Sequence, residues 1–258
     1  MSSGKSIIGI IPAAGKGSRL APFPCPKELF PVGYQDCFID GTIQRRPKVI
    51  SQYLIENIIK AGAQKVLIIV SEGKGDIMKY YGDGSSFSAH IAYLYQEELN
   101  GMPNALNLAH NWIGDSTVMF GMPDTIIEPD TIFQSMRAYH ESNMADLTLG
   151  LFATHYPSKF GMVALDEQNN VMYTIDKPAE SQLNYMWGCA IWSATFSELL
   201  TEFVESRNGN TKESVLGDVF NLAIERKMLV KGFVANDGKY IDIGTSDELD
   251  SALKKFHL

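Results

Sequence analysis

Two rhythms of apolar positions alternate along this chain of 258 residues. Short continuous runs, such as Ile7, Ile8, Ile10 and Ile11 or the segment 65–70, predict strands buried on both faces of a parallel sheet. A half-exposed strand would instead alternate polar and apolar residues. Between these runs, apolar residues recur three and four positions apart, as a helix packed on a sheet requires. Val49, Ile50, Tyr53, Leu54 and Ile58 mark one such helix, which Pro47 opens and Gly62 stops.

Residues 90–95 and 117–120 read as further strands. Pro103 opens a helix carrying Ala105, Leu106, Ala109 and Ile113 up to Gly114, and another begins at Pro129 with Asp130 as N-cap. From residue 145 onward the strands lengthen, at 145–153, 161–166, 171–175 and 185–193, and residues 167–170 (EQNN) form a hairpin turn. A helix at about 214–226, a strand near 229–234, a strand closed by Asp242 and a helix capped by Ser246 complete the series. The pattern predicts a single α/β domain, a Rossmann-like, doubly wound mixed sheet with a first half at about 1–144 and a β-rich second half at 145–258.

The chemistry concentrates after the first strand. Gly15 and Gly17 permit a turn whose N–H groups approach an anion, and Lys16, Arg19 and Lys27 bring three cations to the same place. In a chain of net charge -8, such a concentration of positive charge points to phosphate. A dinucleotide-binding turn needs GxGxxG opening a helix, but Leu20 takes the third glycine position and Pro22, Pro24 and Pro26 follow. The GKS at 4–6 has neither the earlier glycine nor a preceding strand that a Walker loop requires. Lys74, between glycines in SEGKGD, reads as part of a solvated turn.

Three cysteines, Cys25, Cys37 and Cys189, lack metal-ligand spacing, and so do His90, His110, His140, His155 and His257. The negative net charge argues against non-specific nucleic-acid binding, and neither a membrane-length apolar run nor a leader pattern at 1–6 is present. The expectation is a cytoplasmic enzyme with no nucleic-acid or membrane partner, and homo-oligomerisation is left open.

The stretch from Ala13 to Val32, AAGKGSRLAP followed by PKELFPV, resembles the signature loop of the sugar-1-phosphate nucleotidylyltransferases, with Ser18 where threonine is usual. Within that family it resembles the glucose-1-phosphate thymidylyltransferases and uridylyltransferases. Further matching motifs follow in the family's order: Gln96 with NGMPNAL, VMFGMPD ending at Asp124, FGMVALDE from Phe160, IDKP at 175–178 and YIDIGTSDEL from Tyr240.

The resemblance implies the nucleotide-diphospho-sugar transferase type of fold, and transfer of a nucleotidyl group from dTTP or UTP to glucose 1-phosphate with Mg²⁺ as cofactor. It implies that Ala13, Ala14, Gly15, Gly17 and Ser18 hold the nucleotide, that Gln96 and Gly101 read the base, and that Arg19, Lys27 and Asp124 serve catalysis. Asp124 and Asp242 stand as metal ligands, and Gly161, Asp176, Lys177 and Trp187 as sugar-phosphate contacts. The chain departs from the pattern at three places: a polar, turn-rich connection at 33–46, Asp176 for glutamate, and Asp124 two residues later than usual after its glycine. Two alternative readings stay open: a cytidylyltransferase acting on a smaller phosphate such as phosphocholine, which shares the loop, and a catalytically silent nucleotide-binding sensor.

Overall fold

The computed structural model describes residues 5–207 and 214–256. In chain order these form β1 (Ile7–Pro12), β2 (Pro31–Ile39), β3 (Thr42–Val49), α1 (Ile50–Lys60), β4 (Lys65–Val70), α2 (Gly75–Tyr81), β5 (His90–Tyr95), α3 (Met102–Asn107) and α4 (His110–Ile113). Next come β6 (Thr117–Gly121), β7 (Thr125–Glu128), α5 (Ile132–Asn143), β8 (Leu147–Ala153), β9 (Gly161–Leu165), β10 (Val171–Asp176) and β11 (Tyr185–Trp192). The last are α6 (Ala194–Ser206), α7 (Leu216–Glu225), β12 (Val230–Val234), β13 (Lys239–Asp242) and α8 (Ser246–Phe256).

β1 is buried along its whole length because it lies between two parallel neighbours, β4 and β6, in a mixed sheet. Its alternate side chains serve two cores. Ile8 and Ile10 pack with Ala105, Leu106, Phe196 and Phe220 on one face, while Ile7 and Ile11 meet Leu54, Ile55 and Ile58 of α1 on the other. Each such buried isoleucine contributes roughly 1.5–3 kcal/mol. β5 extends the parallel part beyond β4, and antiparallel β11 joins the other edge at β6, with β8 along its length and β9 at its start. One sheet therefore runs through both halves of the sequence.

Outside this sheet, β13 pairs antiparallel with β7. A third, smaller core of Val32, Ile50, Ile126, Ile243 and Ala252 ties that pair to α8 and to the base of β2. It anchors the segment that carries Asp242.

Several sequence expectations are corrected. The connection at 33–46 is not irregular; it forms most of an antiparallel hairpin, β2 with β3, whose turn has φ of 50° at Asp40 and 78° at Gly41. Two successive positive φ values suit a two-residue turn, and Asp-Gly is the sequence that favours it. Pro47 lies within β3, opposite Tyr34, rather than opening α1. A two-stranded ribbon leaves edge positions where the missing N–H of proline costs no ladder bond. Asp130 does not cap α5; it pairs with Lys60 at 2.5 Å. For α8 the capping hydroxyl belongs to Thr245 rather than Ser246: it accepts the Glu248 N–H and donates to the Glu248 carboxylate at 2.8 Å. The helices α2 and α6 were not expected, although Phe196, Leu199, Leu200 and Phe203 of α6 carry the helical spacing. Among the described residues no helix is long and apolar enough to cross a membrane.

Candidate active site

The loop after β1 begins with two alanines that the sheet still holds. Ala13 donates its N–H to Ile69 at 2.7 Å, and both Ala13 and Ala14 are buried. The chain then leaves the sheet. Gly15, Lys16, Ser18 and Arg19 are exposed, and Gly17 turns the backbone at φ 64° beside the Lys27 side chain. A short 3-10 turn, Lys27–Leu29, ends the loop and directs Lys27 and Glu28 to opposite-charge partners.

Lys27 donates to the carboxylate of Asp124, which is 5% exposed. Burial alone would pull the Lys27 ammonium down, but Asp124, with Glu28 and Asp242 further off, reverses this and holds its pKa above the usual lysine value. Asp242 sits opposite Thr125 in the β7–β13 pair, and the Asp124 carbonyl accepts the Ile243 N–H at 3.2 Å. The late position of Asp124 after Gly121 thus still brings it to the same point. Burial, together with the charges of Asp124 and Glu248, pushes the Asp242 carboxyl up to about 6. The Gly244 N–H, donated to Asp242 at 2.7 Å, and the Arg19 charge pull the other way without cancelling that rise. Gly244 lets these two groups come close: a Cβ there would lie 2.8 Å from the Arg19 guanidinium and 3.0 Å from the Asp242 carboxylate.

Beside this charged group opens a cleft lined by Ala14, Gly15, Lys27, Gln96, Gly101 and Asp124, among others. Gln96, at the carboxyl end of β5, is held by its N–H to Val70 at 2.8 Å. Gly101 has φ 109°, a conformation that side chains disfavour, and precedes α3.

The other four predicted residues form a second group. Asp176 pairs opposite Gly161, and Lys177, at φ 43°, donates its N–H to Phe160 at 3.0 Å. Both side chains are exposed, and neither makes an ion pair among the described residues. Trp187 packs edge-on to Phe220 with ring centroids 5.2 Å apart, and a Cβ on Gly161 would lie 2.2 Å from its ring nitrogen. The ring fills core and requires glycine at 161. It also lies 6.4 Å from the ring of Phe120, on the strand that leads to Asp124.

Sequence reasoning missed four charged residues around this site. Lys74 is not solvated; it is buried and bonded to Glu28. Lys159 donates to Glu248 at 2.8 Å, and the Glu248 charge acts on Asp242 and Arg19. For Glu28 and Glu248 the signal was adjacency to Lys27 and to YIDIGT; Lys74 and Lys159 carry none. Among the described residues no three His, Cys, Asp or Glu side chains come together as a metal cluster, and His257 lies outside the described residues.

A protein-family model described as nucleotidyl transferase matches residues 8–257. The chain belongs to the nucleotidyl transferase family. Among individual members, it is 27% identical to a low-salt glycan biosynthesis nucleotidyltransferase of Haloferax volcanii, over 96% of this chain and 68% of that one. It is 26% identical to a glucose-1-phosphate thymidylyltransferase of Mycolicibacterium smegmatis, over 93% and 79% of the two chains. The fold superposes on a Bacillus anthracis protein described as a glucose-1-phosphate thymidylyltransferase, with a TM-score of 0.83, 21% identity, and 97% and 95% coverage. It also superposes on a UDP-glucose pyrophosphorylase with a TM-score of 0.78, at 19% identity and 98% coverage of both chains. These two likenesses establish the nucleotide-diphospho-sugar transferase type of fold for this transferase.

Proposed function

We propose that this transferase moves a nucleotidyl group from dTTP or UTP to a sugar 1-phosphate, with glucose 1-phosphate as acceptor, and releases pyrophosphate. The observation that carries this reading is the convergence of Arg19, Lys27, Asp124 and Asp242 beside a cleft that also holds Gln96 and Gly101. The named substrates of the thymidylyltransferase relatives support it.

In the reaction a phosphate oxygen of the sugar 1-phosphate attacks the α-phosphorus in line, and the bond from that phosphorus to pyrophosphate breaks as the new one forms. No covalent enzyme intermediate is needed, so the residues act by position and charge. Arg19 and Lys27 neutralise charge developing on the leaving pyrophosphate. Gln96 offers a donor and an acceptor to a pyrimidine edge, and Gly101 lets the flat base approach the backbone. Ala13, Ala14, Gly15, Gly17 and Ser18 line the nucleotide's path. Gly161, Asp176 and Lys177 are assigned to the sugar phosphate, with Trp187 supporting Gly161 from behind.

Asp124 and Asp242 offer two buried or half-buried carboxylates, hard oxygen donors that suit Mg²⁺ when phosphate and water oxygens complete its shell. Such a cation, when bound, supplies charge neutralisation that Arg19 and Lys27 alone do not provide for a triphosphate. Nucleotides and sugar phosphates are cytoplasmic metabolites, and the cytoplasm is where we place its work. The test is a pyrophosphate-release panel of the nucleoside triphosphates against several sugar 1-phosphates with Mg²⁺. Turnover with a pyrimidine triphosphate and a hexose 1-phosphate is the expected result; none with any such pair overturns the proposal.

A further inference from the structure

Two charged groups that this reaction leaves unused are buried next to it. Glu28 is 1% exposed and Lys74 7%, and the Lys74 ammonium donates to both carboxylate oxygens of Glu28, at 3.0 and 2.7 Å. Taking two charges out of water offsets most of their attraction, so a pair of this kind adds little net stability. What it fixes is geometry.

Lys74 ends the turn at 71–74 between β4 and α2, and that turn grips the phosphate loop at a second point. The Ser71 hydroxyl donates to the Ala14 carbonyl at 2.7 Å. The turn is itself closed by the Lys74 N–H, donated to the Ser71 carbonyl at 3.2 Å, with Gly73 at φ 79°. Ala14 stands where the loop leaves the sheet, and Glu28 where it returns. Four consecutive residues thus hold both ends of the loop, while the Glu28 carbonyl accepts the Ser51 hydroxyl of α1 at 2.6 Å.

We propose that the turn at 71–74 is a clamp on the phosphate loop, and that Lys74 is a positioning residue for Lys27, acting through Glu28. The proposal rests on the role given above to Lys27. Lys27 and Glu28 are neighbours on one 3-10 turn, and their side chains bind Asp124 and Lys74 respectively. Two ion pairs leaving one turn in different directions fix its rotation as one alone does not. Without Lys74, a carboxylate at 1% exposure either draws the Lys27 ammonium away from Asp124 or takes up a proton and loses its ion pair to the 71–74 turn, and both outcomes free the rotation of the 27–29 turn.

The experiment compares Lys74→Met, Lys74→Arg and Ser71→Ala with the parent, by steady-state pyrophosphate release, triphosphate titration and amide hydrogen exchange over residues 13–30. Lys74→Met is expected to lower kcat at least tenfold while the triphosphate Kd changes less than threefold. Lys74→Arg, which keeps donors for a carboxylate, should recover most of that loss. Exchange over 13–30 should accelerate in Lys74→Met and Ser71→Ala while the β1 and β4 peptides stay protected. A kcat within twofold of the parent in Lys74→Met, an equal loss in kcat and binding, or unchanged loop exchange in both variants overturns the clamp. If Lys74→Met does not fold, Ser71→Ala decides by the same exchange criterion and Lys74→Arg by retained kcat. Exchange needs no substrate, so a parent without turnover sinks the proposed reaction while the clamp is still judged.

Discussion

Asp242 is paired in register with Thr125, so its carboxylate lies beside that of Asp124 although one comes from the middle of the chain and the other from near its end. Lys27 neutralises only part of this doubled charge, and Asp242 keeps a raised pKa. The same pair that offers a cation site is therefore a local cost to the ligand-free fold.

That cost has a pH signature. The folded value of about 6 for Asp242 exceeds the unfolded 3.8, so its contribution to stability is fully present below 3.8 and is lost as pH rises through 6. His140 works in the opposite sense: burial pulls it from 6.5 to about 4 against Thr148, so stability is lost as pH falls through that window. Between pH 4 and 6 these two contributions slope in opposite directions and offset each other. Relative to the parent, Asp242→Asn should change the slope by about 1 kcal/mol per pH unit towards stability rising with pH, and His140→Gln by a similar amount in the opposite sense. Denaturant unfolding at pH 4.5, 5.0, 5.5 and 6.0 checks this; parallel curves for the two variants would refute it.

Arg19→Ala and Lys27→Ala should each lower turnover on the order of a hundredfold, the usual consequence of removing one preorganised donor to developing charge. Triphosphate binding should weaken much less. Lys27→Ala also leaves Asp124 buried without its cation, so its melting temperature should fall without Mg²⁺ and recover when Mg²⁺ is added. Kinetics and melting curves with and without the metal decide both points.

Asp124→Asn should nearly abolish turnover and reduce the Mg²⁺ dependence of the melting temperature, since half of the proposed donor pair is gone. Near-normal activity at low Mg²⁺ in this variant would remove Asp124 from the ligand set and make Asp176 the next acid to substitute.

Gly161→Ala places a methyl group 2.2 Å from the Trp187 ring nitrogen, so the indole must move. A destabilisation of about 1–3 kcal/mol is expected, with a change in tryptophan emission that marks the displaced ring. The Asp176 strand, paired opposite Gly161, should shift with it, raising KM for the sugar phosphate more than for the triphosphate.

On the hairpin, Phe38 and Ile43 face each other across the strands at 77% and 74% exposure. Replacing both with serine should leave the unfolding free energy within about 0.5 kcal/mol of the parent, because neither contributes to a core. A larger loss would mean that the pair is covered in solution.

The elements that were legible in advance are those whose signal is local. β1, β4 and β5 are short, mainly apolar runs, and the loop after β1 announces itself by glycines, prolines and cations within twenty-odd residues. The hairpin was missed although Asp40-Gly41 states its turn, because the flanking residues are mostly polar and outward-facing on both strands. No hydrophobic alternation marks a ribbon that buries only its base. Lys74 was misread for the converse reason: a lysine between glycines has the composition of a solvated turn, and only the approach of Glu28 from another segment turns it into a buried partner.

By itself, then, the sequence determined the α/β alternation, the position of the phosphate loop and the residues able to meet phosphate, since these depend on backbone periodicity and side-chain chemistry within short windows. Tertiary structure alone decided which of those residues meet. It set Asp242 beside Asp124 through the β7–β13 pair, Lys27 against Asp124, Lys74 beneath Glu28 and Trp187 against Gly161, because charge neutralisation and close packing depend on distances between segments that no local pattern encodes.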